Sequence, residues 1–122
     1  MADFWDEWRG DLRGNATMLI KTLARQGDRR IDLHKFIAPD APGCFHTHPA
    51  PALRLILWGG YVEELENGTR KTWRPGMLGL VRPELCHRVA ALSNGRCSYS
   101  LWIRGRKTGA GIELRGDGWR SA

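Results

Sequence analysis

His46 and His48 stand two positions apart, in a chain that has only four histidines. In an extended segment, residues i and i+2 project to the same side, so both rings can reach one ion. Neutral imidazole is a good ligand for divalent metals of intermediate softness such as Fe, Ni, Co, Cu or Zn. Two ligands from one strand need a third from elsewhere; without it, His-x-His is a pair of polar residues beside a loop. His34, in "RIDLHKFI", shares a face with Asp32 and Phe36, opposite Ile31 and Leu33. It is a candidate substrate-pocket residue, with a boundary position as the alternative. Tyr99, in "CSYSLW", is a second pocket candidate, with core packing as its alternative. Cys86 adjoins His87 and by parity points the other way, so it reads as a buried small hydrophobe rather than a nucleophile. No residue stands out as a general base, and no catalytic residue is assigned.

The elements that must hold these residues read as strands. "TMLIKTLAR" and "RIDLHKFI" flank a Gln26-Gly27-Asp28 turn, and "LRLILW" is a buried strand ended by Gly59-Gly60. In "YVEELENGTRKTW", Asn67-Gly68 signals a two-residue hairpin turn. Counted outward from it, Glu64 faces Lys71 and Val62 faces Trp73, which makes Glu63, Glu64 and Glu66 hairpin surface charges. "GMLGLVRP", "HRVAAL", "CSYSLWIRG" and "GIELRG" follow at short spacing. Many short strands with frequent turns indicate an all-β barrel or sandwich. At the start, Phe4, Trp5, Trp8 and Leu12 recur at spacings of three and four, which predicts a short helix with Asp3 as cap, docking an aromatic stripe.

The 122 residues suit one domain with one core. Cys44, Cys86 and Cys97 form no CxxC pair, so neither a disulfide framework nor a zinc knuckle is indicated. The net charge of +6 is spread in short groups without a helix-turn-helix or zinc-finger pattern. It reads as a solvated surface, and nucleic acid is not an expected partner. No apolar run is long enough to cross a bilayer, and "MADFWDEWRG" has no export-signal pattern, so the expected setting is cytoplasmic. "GRKTGAG" is not a phosphate-binding loop, because its lysine precedes the last glycines.

Taken together, His46-Thr47-His48, Gly59 or Gly60, Gly76, Pro83 and His87 resemble the two metal-binding motifs of the cupin superfamily of small β-barrels. Gly76 and His87 are eleven apart (87 − 76), as in that family. Gly43 lies nearer to His46 than the first motif asks, Pro83 is one position late, and Glu84 and Ala91 replace a glycine and an asparagine. The resemblance covers residues 17–116. It implies a single cupin-type β-barrel (jelly roll) over residues 1–122, with residues 1–16 as an N-terminal helical arm. It also implies His87 as the third ligand beside His46 and His48. The usual carboxylate ligand would fall at Ala52 or Leu53, neither of which binds metal. With Leu53 inward, Arg54 points outward, and the ligand set is three histidines. That set resembles the cysteine-dioxygenase-like branch. The implied cofactor is a divalent transition metal, iron first, with Ni, Co, Cu, Zn or Mn as alternatives.

Three neutral ligands leave the ion its full double charge and open positions for an anionic chelating ligand and dioxygen. The expected function is therefore a metal-dependent oxygenase acting on a small polar or thiol-bearing substrate. The alternative is a non-catalytic cupin that binds a small ligand as sensor or store. Both faces of "LRLILW" are apolar, so the face outside the barrel needs cover, from the N-terminal helix or from a second subunit. The resemblance implies a homodimer.

Overall fold

Alternating patterns and closely spaced turns produce ten strands in a computed structural model that describes residues 4–10, 14–40, 45–48, 50–107 and 120–121. The strands are β1 (Glu7–Gly10), β2 (Ala16–Gln26), β3 (Arg29–Phe36), β4 (Ala52–Trp58), β5 (Tyr61–Leu65), β6 (Arg70–Trp73), β7 (Leu78–Val81), β8 (His87–Leu92), β9 (Ser98–Arg104) and β10 (Arg120–Ser121). They form a seven-stranded sheet, ordered β10-β1-β2-β3-β9-β4-β7, and a three-stranded sheet, ordered β6-β5-β8. The described pairings are antiparallel. Met18, Ile20, Phe36, Ile56 and Trp102 of the larger sheet pack on Tyr61, Trp73 and Val89 of the smaller, and this is the core. No helix of the described residues is long and apolar enough to cross a membrane.

Among the described residues near the start, Glu7–Gly10 form a strand, not the helix that the aromatic spacing predicts. Glu7 pairs with Ile20, Trp8 with Leu19 and Arg9 with Met18. Asp6 serves this pairing rather than a helix end. Its N–H donates to the Ile20 carbonyl at 2.9 Å, and its carboxylate accepts the Thr22 N–H at 2.8 Å. A helix of about eleven residues is marginal in water on its own. The open edge of β2 offers a full row of backbone partners instead, and tryptophan suits a strand as well as it suits a helix. Asp3 and Leu12, which the helix would have included, lie outside the described residues.

The β5–β6 hairpin differs by one residue from the sequence expectation. The Leu65 N–H donates to the Thr69 carbonyl at 2.8 Å, which leaves Glu66, Asn67 and Gly68 as a three-residue loop. Gly68, at φ 89°, occupies the left-handed position that such loops require. Tyr61 therefore faces Trp73, and Glu63 faces Lys71. A one-residue slip exchanges the two faces of the partner strand, so Trp73 joins the inward face with Tyr61 and Glu63.

On β4 the expected faces are also reversed. Ala52, Arg54 and Ile56 are buried, while Leu53 and Leu57 are exposed on the outside. Arg54 is only 1% exposed. The inward position goes to the residue that finds a counter-charge and the ring faces of Trp73 and Trp102 there.

Candidate metal centre

Two backbone hydrogen bonds bring the distant histidines together. The His46 N–H donates to the His87 carbonyl and the His87 N–H to the His46 carbonyl, both at 3.0 Å. Residues opposed in this way in antiparallel chains carry their side chains on the same side. The His48 N–H donates to the Pro83 carbonyl at 3.1 Å and continues the attachment. The ring centroids of His46, His48 and His87 lie 4.9–5.3 Å apart. One nitrogen from each lies within 4.8 Å of the other two. The Nε2 atoms of His48 and His87 are 2.7 Å apart. Two nitrogens bound at right angles to one ion at metal–histidine distances would sit about 2.9 Å apart, so this pair is already near coordination spacing.

Glu63 prepares His87 for such a role. Its carboxylate accepts the His87 Nδ1–H, which leaves the Nε2 lone pair facing His48. A carboxylate behind a ligating imidazole fixes both ring orientation and tautomer. Burial alone would raise the Glu63 pKa, but hydrogen bonds from His87 and Arg54 outweigh it and bring the carboxyl down to about 2. The buried Arg54 guanidinium grips both carboxylate oxygens, at 2.7 and 3.1 Å. Trp73 Nε1–H donates to Glu63 at 3.1 Å, and Arg54 donates to the Tyr61 hydroxyl at 2.9 Å. The guanidinium lies 3.9 Å from the Trp73 ring centroid, a cation–π contact. Gly79, on the strand beside Arg54, makes room for this stack. A Cβ there would come within 2.2 Å of the Trp73 ring.

His48 is held in the state a metal needs. Burial, followed by the fields of His87 and Arg54, lowers the His48 pKa to about 3 against the opposing pull of Glu63. A metal ligand must present a deprotonated nitrogen, and His48 does so across the neutral range. The cluster opens on a cavity of about 20 Å³, walled by Met18, Phe36, Tyr61, Val89 and Trp102. That is room for roughly one water molecule. Met18, His34, His48 and Trp102 also line an adjoining cavity of about 90 Å³. The donor set, the pre-spaced nitrogens and the supporting carboxylate together fit a divalent transition metal.

None of the protein-family models matches this chain, and no curated protein matches it. Solved structures do. A candidate mannose-6-phosphate isomerase of Ralstonia eutropha JMP134 is 20% identical, with a TM-score of 0.67 over 76% of this chain and 88% of its own. A cupin-like protein of Thermotoga maritima is 13% identical, with a TM-score of 0.66 over 82% and 77%. The Fe(II) form of HppE is 11% identical, with a TM-score of 0.68 over 86% of this chain and 58% of its own. The fold is the cupin fold, a double-stranded β-helix.

Within the cupin barrel the residues singled out from sequence fall in different places. His46, His48 and His87 form one cluster. His34 is buried, stacks on Trp102 at 4.9 Å and 20°, and lines both cavities. Tyr99 does not line either one. Ser98, Ser100 and Trp102 take the inward positions of β9, and strand parity turns Tyr99 outward, near Trp58 and under Lys35. Cys86 is half-buried rather than buried, and its thiol lies 3.8 Å from Glu66. Cys44 lies outside the described residues. Sequence reasoning missed Glu63 and Arg54. The signal for Glu63 was present, because an inward Tyr61 requires an inward Glu63 two residues on.

Proposed function

We propose that this chain is a metal-dependent cupin enzyme in which His46, His48 and His87 hold one divalent transition metal, iron first. In this reading it is an oxygenase of the cysteine-dioxygenase kind, acting on a small polar or thiol-bearing molecule. The observation that carries the proposal is His87: its Nδ1 is fixed by an ionised Glu63 and its Nε2 lies 2.7 Å from that of His48. A bound divalent ion would supply Lewis acidity and one-electron redox chemistry at this point. The protein would supply orientation and shelter. Glu63 and Arg54 hold one ligand in place, and Met18, Phe36 and Trp102 keep the chamber small and apolar. The likeness to a structure of Fe(II) HppE and to one of DMSP lyases agrees with chemistry on this fold.

Elemental analysis of protein purified without added metal should find on the order of one first-row transition metal per chain. An oxygen electrode should then register uptake with some member of a panel of small thiols, amino acids and hydroxy acids. Metal without oxygen uptake, together with a co-purified small molecule, would instead favour a sensor or store.

We also propose a homodimer through the outer face of β4, β7 and β9. Leu78 is 62% exposed, Leu80 58% and Ile103 43%, and Leu53 pairs with both Leu80 and Ile103 across this face. β1 does not provide this cover, because it is itself a strand of the same sheet, towards the opposite edge from β7. Light scattering should give a dimer, and Leu78→Glu with Leu80→Glu should give a folded monomer. A monomeric parent would remove the proposal.

A further inference from the structure

Three guanidinium groups from three strands line the cavity next to the histidines: Arg9 of β1, Arg30 of β3 and Arg104 of β9. Two carboxylates answer them. Glu7 pairs with Arg9 at 3.0 Å and Arg30 at 3.3 Å, and Asp32 pairs with Arg30 at 2.7 Å. Among the described residues no carboxylate lies within ion-pair distance of Arg104, whose Nη2 donates to the Asp28 carbonyl at 3.2 Å. Among the described residues, three cations against two anions leave one positive charge uncompensated. Burial, then the field of Arg30, lowers the Arg104 pKa against the pull of Asp32, so the cation sits where its charge is disfavoured.

A second observation is independent of charge. Arg104 Nε, Asp32 Oδ1 and His34 Nδ1 are all buried without a hydrogen-bond partner among the described residues, and all three residues line this cavity. Buried polar atoms are nearly always paired. A wall that offers a charged donor, a charged acceptor and an imidazole nitrogen together is built for a ligand with matching groups. The volume of about 90 Å³ holds roughly six to nine non-hydrogen atoms.

We infer that this cavity is the anion-gripping half of the substrate site: a small carboxylate bearing a hydroxyl or amine donor seats against Arg104, with its far end at His48. This rests on reading the histidine cluster as the metal centre. The carboxylate fits the planar guanidinium fork and supplies the single missing negative charge. The hydroxyl or amine answers Asp32.

The full-length chain, both as purified and after stripping with a chelator, would be labelled with ¹⁵N and titrated with glycolate, acetate, inorganic phosphate and sodium chloride. The indole N–H of Trp102, which lines the cavity, is the reporter. Glycolate should shift it saturably in both preparations and bind more tightly than acetate. Arg104→Gln should weaken glycolate at least about tenfold, and Arg104→Lys should weaken it less. Arg106→Gln, at an exposed position, should leave it unchanged. Circular dichroism would verify that each variant is folded. A shift reproduced by chloride, equal binding in Arg104→Gln, or phosphate at least tenfold tighter than glycolate would overturn the inference. Because the stripped protein holds no metal, this result is independent of whether the histidines bind one, which elemental analysis reads separately.

Discussion

His87→Ala is expected to purify folded and with its metal content reduced from on the order of one ion per chain to near zero. The fold should survive, because what ties this residue to His46 is a pair of backbone hydrogen bonds that alanine also makes. The site should not survive, because the remaining pair, His46 and His48, comes from one short segment and gives two ligands where a stable site needs three. Glu63→Gln is the finer probe. It keeps the imidazole and an oxygen acceptor near Nδ1, but removes the negative charge that orients the ring. Loss of such a partner typically costs about 10- to 100-fold in metal affinity. Competition against a chromophoric chelator would measure it. Full metal content in His87→Ala would show that the cluster is not the metal centre, while an unchanged affinity in Glu63→Gln would reduce Glu63 to a structural role.

The histidines were legible in the sequence because their evidence is local. A two-residue spacing fixes a shared side on an extended chain, and the cupin-like spacing from Gly76 identifies the third. Their support was not legible, because it depends on strand register. Asn67-Gly68 suits a two-residue turn, yet the chain adds Glu66 to the loop, and that single residue moves Trp73 to the interior beside Glu63. Arg54 was misplaced for a related reason. In "LRLILW" every neighbour is apolar, and hydrophobicity alone puts the leucines inside. The opposite parity prevails because Arg54 meets a carboxylate, a phenol and the face of Trp73, none of them adjacent in sequence. At the N-terminus an aromatic stripe compatible with both helix and strand was settled by the exposed edge of β2. Tyr99 turned on parity alone, one residue away from two buried serines.

The metal-free protein is expected to lose stability steadily as the pH falls from neutral to about 3, and three buried groups, Glu63, His48 and His34, set the window, the two histidines acting in the same direction. The carboxyl of Glu63 has a folded pKa of about 2 against an ordinary 4.5. Its contribution is complete above pH 4.5, is lost as the pH falls towards 2, and amounts to about 3 kcal/mol. His48 acts in the same direction from a higher starting point. The unfolded chain takes up its proton below pH 6.5, whereas the folded chain resists until about 3, so acid favours unfolding throughout that interval. Arg54→Met separates the Glu63 contribution from that of the histidines. Breaking a buried ion pair by removing one partner costs about 3 kcal/mol or more, and urea denaturation at pH 7 should register it. At pH 4 the penalty should narrow, because Glu63 without its guanidinium protonates earlier and no longer presents an unpaired buried charge. The His48 contribution should persist in the variant. A penalty independent of pH would mean that Glu63 is not ionised in the folded state. The His87 proton would then have no charged acceptor at Nδ1. An arginine buried inside an apolar barrel is thus understandable as the group that keeps Glu63 charged, and Glu63 as the group that keeps His87 pointed at its two neighbours.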